Sequence, residues 1–384
     1  MRLVLADASL VVQGRSYEGL PLLVGTDGHA VEPAQSFLWD ELAANGRAQS
    51  PLTWAKYGRD LYDYFAFLEA NRLGWSELPA RGMPSHLDRY RDWSRAEVGL
   101  QPRTINSRLR LIARFYAWAR EHGFIERLPY RTRVVRTARE PGFLAHVQHD
   151  ARATTALRAA LPEPVAVPQF LTMDQVMACL DQLPNPTHRL MFELMVRCGL
   201  RQVECRSLPM SYLCNPARRT DLRGRRTIRV RLDPKHMSLK HGRARSIDVP
   251  TDLMEDLWWY VVRHRRVRAD AAAPASDCGA VFLTERGRPY GNTAFTDIFA
   301  ALQRRVGFYV RPHMLRHTYA TYTLWRLRQS SHQGDPLLYV RDRLGHSSVA
   351  TTAVYLHLIN QLDTNLVLQH EDEIDALFRP QDPT

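Results

Sequence analysis

A stretch rich in arginine and proline between residues 129 and 167 divides this chain into two parts with different hydrophobic patterns. It and its approach carry Arg127, Arg131, Arg133, Arg136 and Arg139; Pro162 and Pro164 lie near its end and Pro168 just past it. Prolines at that density favour an extended chain, so a basic linker is expected at 129–167, with a short helix over Thr155 to Leu161 inside it. A length of 384 residues also exceeds what one ordinary core organises, which makes two domains the default.

The part before the linker reads as helical from 35 to 128. Tyr57, Leu61, Tyr64, Phe65 and Leu68 fall on one face of a helix that opens at Ser50-Pro51. A second segment near Ser85 places Leu87 and Tyr90 together. A third starts at Pro102, aligns Ile105, Leu109, Ile112, Tyr116 and Ala119, and stops at Gly123. Its remaining surface carries Arg103, Arg108, Arg110, Arg114 and Arg120. Such a face is either solvated or laid along a phosphate backbone, and the scarcity of intervening acidic residues on the helix favours the second. Residues 1–34 hold two short apolar stretches and are expected to form a small hairpin or an arm of unassigned role. With so few residues ahead of the helical domain, a separate arm-type DNA-binding domain is not expected.

The second domain is expected over 168–384. Thr172 and Gln175 make a capping box for its first helix. A helix through Leu190, Leu194 and Met195 is apolar nearly all round and ends at Gly199. Ile228, Val230 and Leu232 alternate with polar residues, as do Ile247 and Val249, so two strands flank a basic loop whose tip is Gly242. Helices resume at Thr251. Near the end, Asp335-Pro336 is a helix start and Gly345 a stop, with His346 just past it and Tyr355 nine residues on.

Charge narrows the class of partner. The chain carries 52 Lys and Arg against 40 Asp and Glu, a net +12, so a polyanion is the simplest partner. No apolar run approaches the roughly 20 residues that span a bilayer, so no membrane association is expected. The five cysteines form no C-x-x-C pair, which disfavours a zinc site or disulfide framework and fits a reducing cytoplasm.

Four short motifs then stand out in order: Gly199-Leu200-Arg201 with Glu204 three residues on, Lys240 on the loop between the strands, His313-x-x-Arg316 on one helix face, and Leu344-Gly345-His346 followed by Tyr355. Each alone is commonplace. Together, over about residues 40–360, they resemble the tyrosine site-specific recombinases of the phage-integrase family. The resemblance implies a mainly α fold with a small antiparallel β-sheet: a helical core-binding domain, a linker and a mixed α+β catalytic domain. It also implies roles. Arg201 and Arg316 would clamp the scissile phosphate. Lys240 would protonate the leaving 5′ oxygen, with Lys235 as its close competitor. His313 would assist proton transfer from the nucleophile, and His346 would donate to a phosphate oxygen. Tyr355 would be the nucleophile, and Glu204 would orient the site. His317 follows Arg316 directly, as is common in that family. Arg243 and Arg245 on the loop join Arg103, Arg108, Arg110 and Arg114 as expected DNA contacts.

The chemistry accounts for these residue types. A phosphodiester is anionic, and two guanidinium forks can hold its oxygens and absorb the charge that builds in the transition state. A phenol with an ordinary pKa of about 10 needs a proton acceptor and a positive field before it attacks. A phosphotyrosine retains the bond energy, so neither ATP nor metal is expected, and no Walker motif is present. The resemblance further implies double-stranded DNA and a homo-tetramer on paired sites as partners, accessory directionality factors, and a prokaryotic cytoplasmic setting. Within the tail, Ile374, Leu377 and Phe378 make a short stripe expected to couple neighbouring subunits. A type IB topoisomerase, which shares the chemistry, a telomere resolvase, and an architectural DNA-binding protein with a dead site are the remaining readings.

Overall fold

The computed structural model describes residues 1–44, 51–136, 153–163, 168–270, 279–330 and 334–359. The chain forms two compact units, Met1–Val165 and Ala166–Thr384.

In the first unit, β1 (Arg2–Leu5) pairs antiparallel with β4 (Pro21–Val24), setting Leu3 opposite Leu23, and β2 (Val11–Val12) pairs with β3 (Arg15–Ser16). Leu20 and Leu23 are buried in the same core as the helices, so the N-terminal strands belong to this unit. The helices are α1 (Ala34–Trp39), α2 (Pro51–Ala70), α3 (His86–Ala96) and α4 (Pro102–Glu121). Ser85 accepts from the Asp88 N–H while Asp88 accepts from the Ser85 N–H, closing the capping box that starts α3. The apolar stripes of α2 and α4 meet at Tyr64, Phe65, Phe115 and Tyr116, and the hydroxyls of Tyr64 and Tyr116 satisfy each other at 2.7 Å.

The expected linker behaves differently from its composition. β5 (Thr132–Arg136) pairs antiparallel with β6 (Ala153–Leu157), with Val134 opposite Thr155. The short helix expected over Thr155 to Leu161 is therefore absent: Thr155 to Leu157 are strand, and a turn and irregular chain follow to Leu161. A segment that short does not hold a helix unaided, whereas a strand partner about twenty residues upstream supplies a ladder that local sequence does not reveal. Asn106 of α4 then fastens the chain after β6, donating to the Leu161 carbonyl and accepting from its N–H, both at 2.8 Å.

The second unit is built on α5 (Met173–Asp181), α6 (Pro186–Cys198), α7 (Gln202–Arg206), the β7 (Thr227–Leu232) and β8 (Arg245–Pro250) hairpin, α8 (Thr251–Tyr260), α9 (Arg266–Asp270), α10 (Asn292–Val306), α11 (Pro312–Gln329), α12 (Pro336–Leu344) and a helix α13 over 349–359. The mainly α composition with small antiparallel sheets is the expected fold class. Leu190, Phe192, Leu194 and Met195 of α6 are all buried in one core, as their all-round apolarity requires. β7 and β8 pair from Thr227↔Pro250 to Leu232↔Arg245. A smaller cluster holds the C-terminal elements: Ala320 and Leu324 of α11, Val340 and Leu344 of α12, and Tyr355, Leu358 and Ile359 of α13. A helix as short as α13 is marginal alone, so its buried side chains, each worth about 1.5–3 kcal/mol, fix its position. Among the described residues, no helix is long and apolar enough to cross a membrane.

Candidate active site

Four chain segments of the second unit converge. The first is the turn after α6. Gly199 caps that helix with φ of +67°, and a Cβ there would stand 2.5 Å from the ring of Tyr319, so the turn needs glycine twice over. The turn delivers Arg201 as the residue before α7. Glu204, with a fully buried side chain, reaches back and accepts the Arg201 backbone N–H at 2.7 Å and its Nη1 at 3.0 Å.

The second segment is the start of α11, where Pro312 at the first position has no N–H to leave unpaired. It carries His313, Arg316 and His317. Arg316 is 1% exposed. Its Nη1 donates to the Gly199 carbonyl at 2.7 Å and its Nη2 to the Leu344 carbonyl, so one guanidinium joins the ends of α6 and α12. Burial, with Arg201 and Arg245 nearby, pushes its pKa down to about 9 despite Glu204.

The third segment is the α12–α13 turn. Asp335 caps α12 by accepting from the Leu337 N–H at 2.7 Å, and Gly345 ends it at φ of +64°. His346 follows, and its Nδ1 lies 3.0 Å from Thr352 Oγ1. Tyr355 on α13 is 2% exposed, with its ring parallel to that of His346 at 6.3 Å. Its hydroxyl contacts Nδ1 of His317 at 2.9 Å. Burial raises the phenol pKa, and the charges of Arg316 and Arg201 oppose that rise. Burial, His313 and Arg316 push His317 down to about 3; burial, Arg316 and Arg201 do the same to His346. Both rings are therefore neutral near pH 7.

The fourth segment is the β7–β8 loop. Lys240 is exposed at the start of a short 3₁₀ turn, Lys240–Gly242, and Arg243 is exposed beside it. Partial burial and the charges of Arg316, Arg201 and Lys240 hold His313 below its ordinary pKa. Lys240, Arg243, Arg343 and His346 line an open cleft of about 640 Å³.

The convergence includes Arg201, Glu204, His313, Arg316, His346 and Tyr355, with Lys240 and Arg243 at the rim. Arg245 was expected to contact DNA, but its side chain is 6% exposed and donates to Glu204 from Nη1 at 2.7 Å and Nη2 at 2.6 Å. His317 received no role from the sequence, and it is the histidine against Tyr355. Its signal was available: His313 and His317 are four apart, and their rings meet at 4.3 Å.

The α4 arginines lie in the first unit. Arg103 is exposed there. Arg110 pairs with Glu163 at 2.8 Å. Arg108 is tied to Asp63, and Arg114 to Glu41 and the Tyr57 hydroxyl. The face is therefore partly neutralised and not a free cationic strip for phosphates. The carboxylates come from other elements, which the α4 sequence alone does not contain.

Residues 169–361 match the model of the phage integrase family. Tyrosine recombinase XerC of Ralstonia pickettii is 33% identical over 208 residues, 51% of this chain and 58% of that protein's length. Tyrosine recombinase XerC of Chromohalobacter salexigens is 29% identical over 317 residues, 80% of this chain and 86% of that protein. The fold matches a crystal structure of XerH site-specific recombinase bound to palindromic difH substrate, with a TM-score of 0.55, 14% identity, and coverage of 86% of this chain and 84% of that one. It also matches the Tn1549 transposon integrase in complex with a circular intermediate DNA, with a TM-score of 0.54 and 17% identity over 82% of this chain and 92% of that one.

Proposed function

The chain belongs to the phage integrase family of tyrosine recombinases, enzymes that cleave and rejoin DNA, and we propose that it recombines double-stranded DNA at specific sites through a phosphotyrosine formed on Tyr355. The observation that carries this reading is the placement of the Tyr355 hydroxyl, 2.9 Å from a neutral histidine, with the charges of Arg316 and Arg201 opposing the rise in its pKa that burial causes.

In the proposed step Tyr355 Oη attacks the scissile phosphorus. The phenol proton passes to Nδ1 of His317, which accepts when that ring carries its own proton on Nε2. The P–O5′ bond breaks, and the leaving 5′ oxygen takes a proton from Lys240 Nζ. A 3′-phosphotyrosyl bond replaces the phosphodiester. Arg201, Arg316 and His346 donate to the non-bridging oxygens, where charge accumulates. Attack by a 5′ hydroxyl of the exchanged strand reverses the step, so no external energy is consumed. His313, close enough to Lys240 to feel its charge, is the second candidate for moving the phenol proton.

A homo-tetramer on two paired sites is the proposed assembly, in the prokaryotic cytoplasm, with directionality factors as further partners. The tail stripe Ile374, Leu377 and Phe378, which lies outside the described residues, is its proposed subunit coupler. The domain roles are proposed likewise: DNA binding by the helical unit and chemistry by the unit carrying Tyr355.

The test is to incubate the full-length protein with fragmented genomic DNA from its host, denature, and sequence the DNA that stays attached. Peptide mapping should find a nucleotide remnant on Tyr355, and the recovered fragments should share one site. DNA attached to another residue, or to none, would overturn the reading. Relaxation of supercoiled plasmid without any shared site would favour a topoisomerase instead.

A further inference from the structure

Arg245 is the one loop-flanking arginine described above whose guanidinium is turned wholly inward. Its Nη1 and Nη2 form a fork on Glu204 at 2.7 and 2.6 Å, and its Nε donates to the Arg343 carbonyl at 2.9 Å. Its stem passes so close to Gly345 that a Cβ on that glycine would stand 2.8 Å from Arg245 Cδ. One side chain from the first residue of β8 therefore touches both sides of the site. It grips the carboxylate that holds Arg201, and it grips the end of α12 from which His346 emerges.

We propose that Arg245 is a positioning residue that keeps Arg201 available to the scissile phosphate. Glu204 is a buried acceptor facing two guanidiniums. With the Arg245 fork in place, its oxygens are satisfied and Arg201 spends one Nη1 contact on it. Without the fork, the buried carboxylate draws the Arg201 guanidinium inward and away from any anion in the cleft. Lysine at 245 keeps the charge but offers a single point donor, so it cannot span both carboxylate oxygens and the Arg343 carbonyl. The inference rests on the proposed reading of Arg201 as a phosphate clamp.

The test compares two duplexes carrying the site recovered with the wild-type protein. One has the ordinary phosphodiester at the cleaved position and the other a neutral methylphosphonate. A misdirected Arg201 matters where charge must be absorbed and matters little where the phosphorus centre is neutral. Arg245→Lys should bind both duplexes like wild type and cut the phosphodiester about 100-fold more slowly. On the methylphosphonate its deficit relative to wild type should shrink at least about tenfold. Because loss of one partner from a buried pair can unfold a protein, the double variant Arg245→Met with Glu204→Gln removes both charges together. It should melt close to wild type and, with no carboxylate left to draw Arg201 inward, cut the phosphodiester faster than Arg245→Lys does. An equal deficit on both duplexes would make Arg245 a general structural residue and overturn the proposal. A wild-type rate from Arg245→Lys, or a double variant as slow on the phosphodiester as Arg245→Lys, would also overturn it, while leaving the phosphotyrosine reading intact. A wild-type protein that cuts neither duplex would bring down both.

Discussion

The hydroxyl of Tyr355 lies 2.9 Å from Nδ1 of His317, a contact between α13 and α11 that spans 38 residues of chain. It puts the His317 ring within hydrogen-bond reach of the proposed nucleophile. The same ring meets that of His313 edge-on at 4.3 Å, one turn earlier on α11.

Tyr355→Phe removes one oxygen from a buried ring. Among the described residues its one hydrogen-bond partner is His317, and losing that bond costs about 1 kcal/mol, so the variant should fold and bind DNA. Covalent attachment to DNA should disappear. Denaturing gels of protein incubated with labelled DNA check this, and adduct formation by the variant would displace Tyr355 from its role.

His317→Gln keeps a hydrogen-bonding group near the phenol but loses a proton acceptor. Cleavage should fall by about 10²–10⁴-fold. His313→Gln, which lacks the contact with Tyr355, should cost less. Single-turnover cleavage of the two variants gives the order directly; the reverse order would return the proton-transfer role to His313.

Lys240→Ala should slow cleavage far more than binding, since an acid acts on the leaving group. A duplex with a 5′-bridging sulfur has a leaving group that needs no proton. That substrate should restore cleavage to the Lys240 variant but leave Arg201→Ala impaired. Absence of rescue would point to Lys235 or another acid.

Acid should weaken the fold in two overlapping ranges. His317 and His346 sit at about 3 against an ordinary 6.5, so the unfolded chain binds their protons first and stability declines as pH falls from about 6.5 towards 3. For Glu204, burial favours the neutral form, but hydrogen bonds and charge from Arg245, with the Arg201 N–H and charge, outweigh it and hold the carboxyl at about 2. Its contribution is present above its ordinary 4.5 and is lost as pH falls towards 2, on the order of 3 kcal/mol in all. Denaturant unfolding at pH 7, 5 and 3.5 should show falling stability. His317→Gln should flatten the decline between pH 6.5 and 4, and a wild-type protein equally stable at all three values would contradict both assignments.

The features legible in the sequence are those that neighbouring residues decide. Asp335-Pro336 starts α12 and Gly345 ends it because caps and left-handed stops depend on a few adjacent dihedrals. His313 and Arg316 share a face because 3.6 residues make a turn. The alternation about Ile228 and Ile247 marks two strands because side chains in a strand alternate between faces. The order and spacing of Arg201, Lys240, His313, Arg316, His346 and Tyr355 therefore marked the candidate site.

What the tertiary structure decided is which charge meets which. Arg245 reaches Glu204 across 41 residues, Arg108 reaches Asp63 across 45, and Arg114 reaches Glu41 across 73. In sequence all three looked like free cations awaiting phosphate. Likewise β6 became a strand because Thr132–Arg136 folded beside it, and His317 acquired Tyr355 because α13 packed against α11. Ion pairs and buried hydrogen bonds depend on distance in space, and a polymer brings remote residues together only after its cores have formed; local spacing places a functional group on its element, while packing alone settles what that group faces.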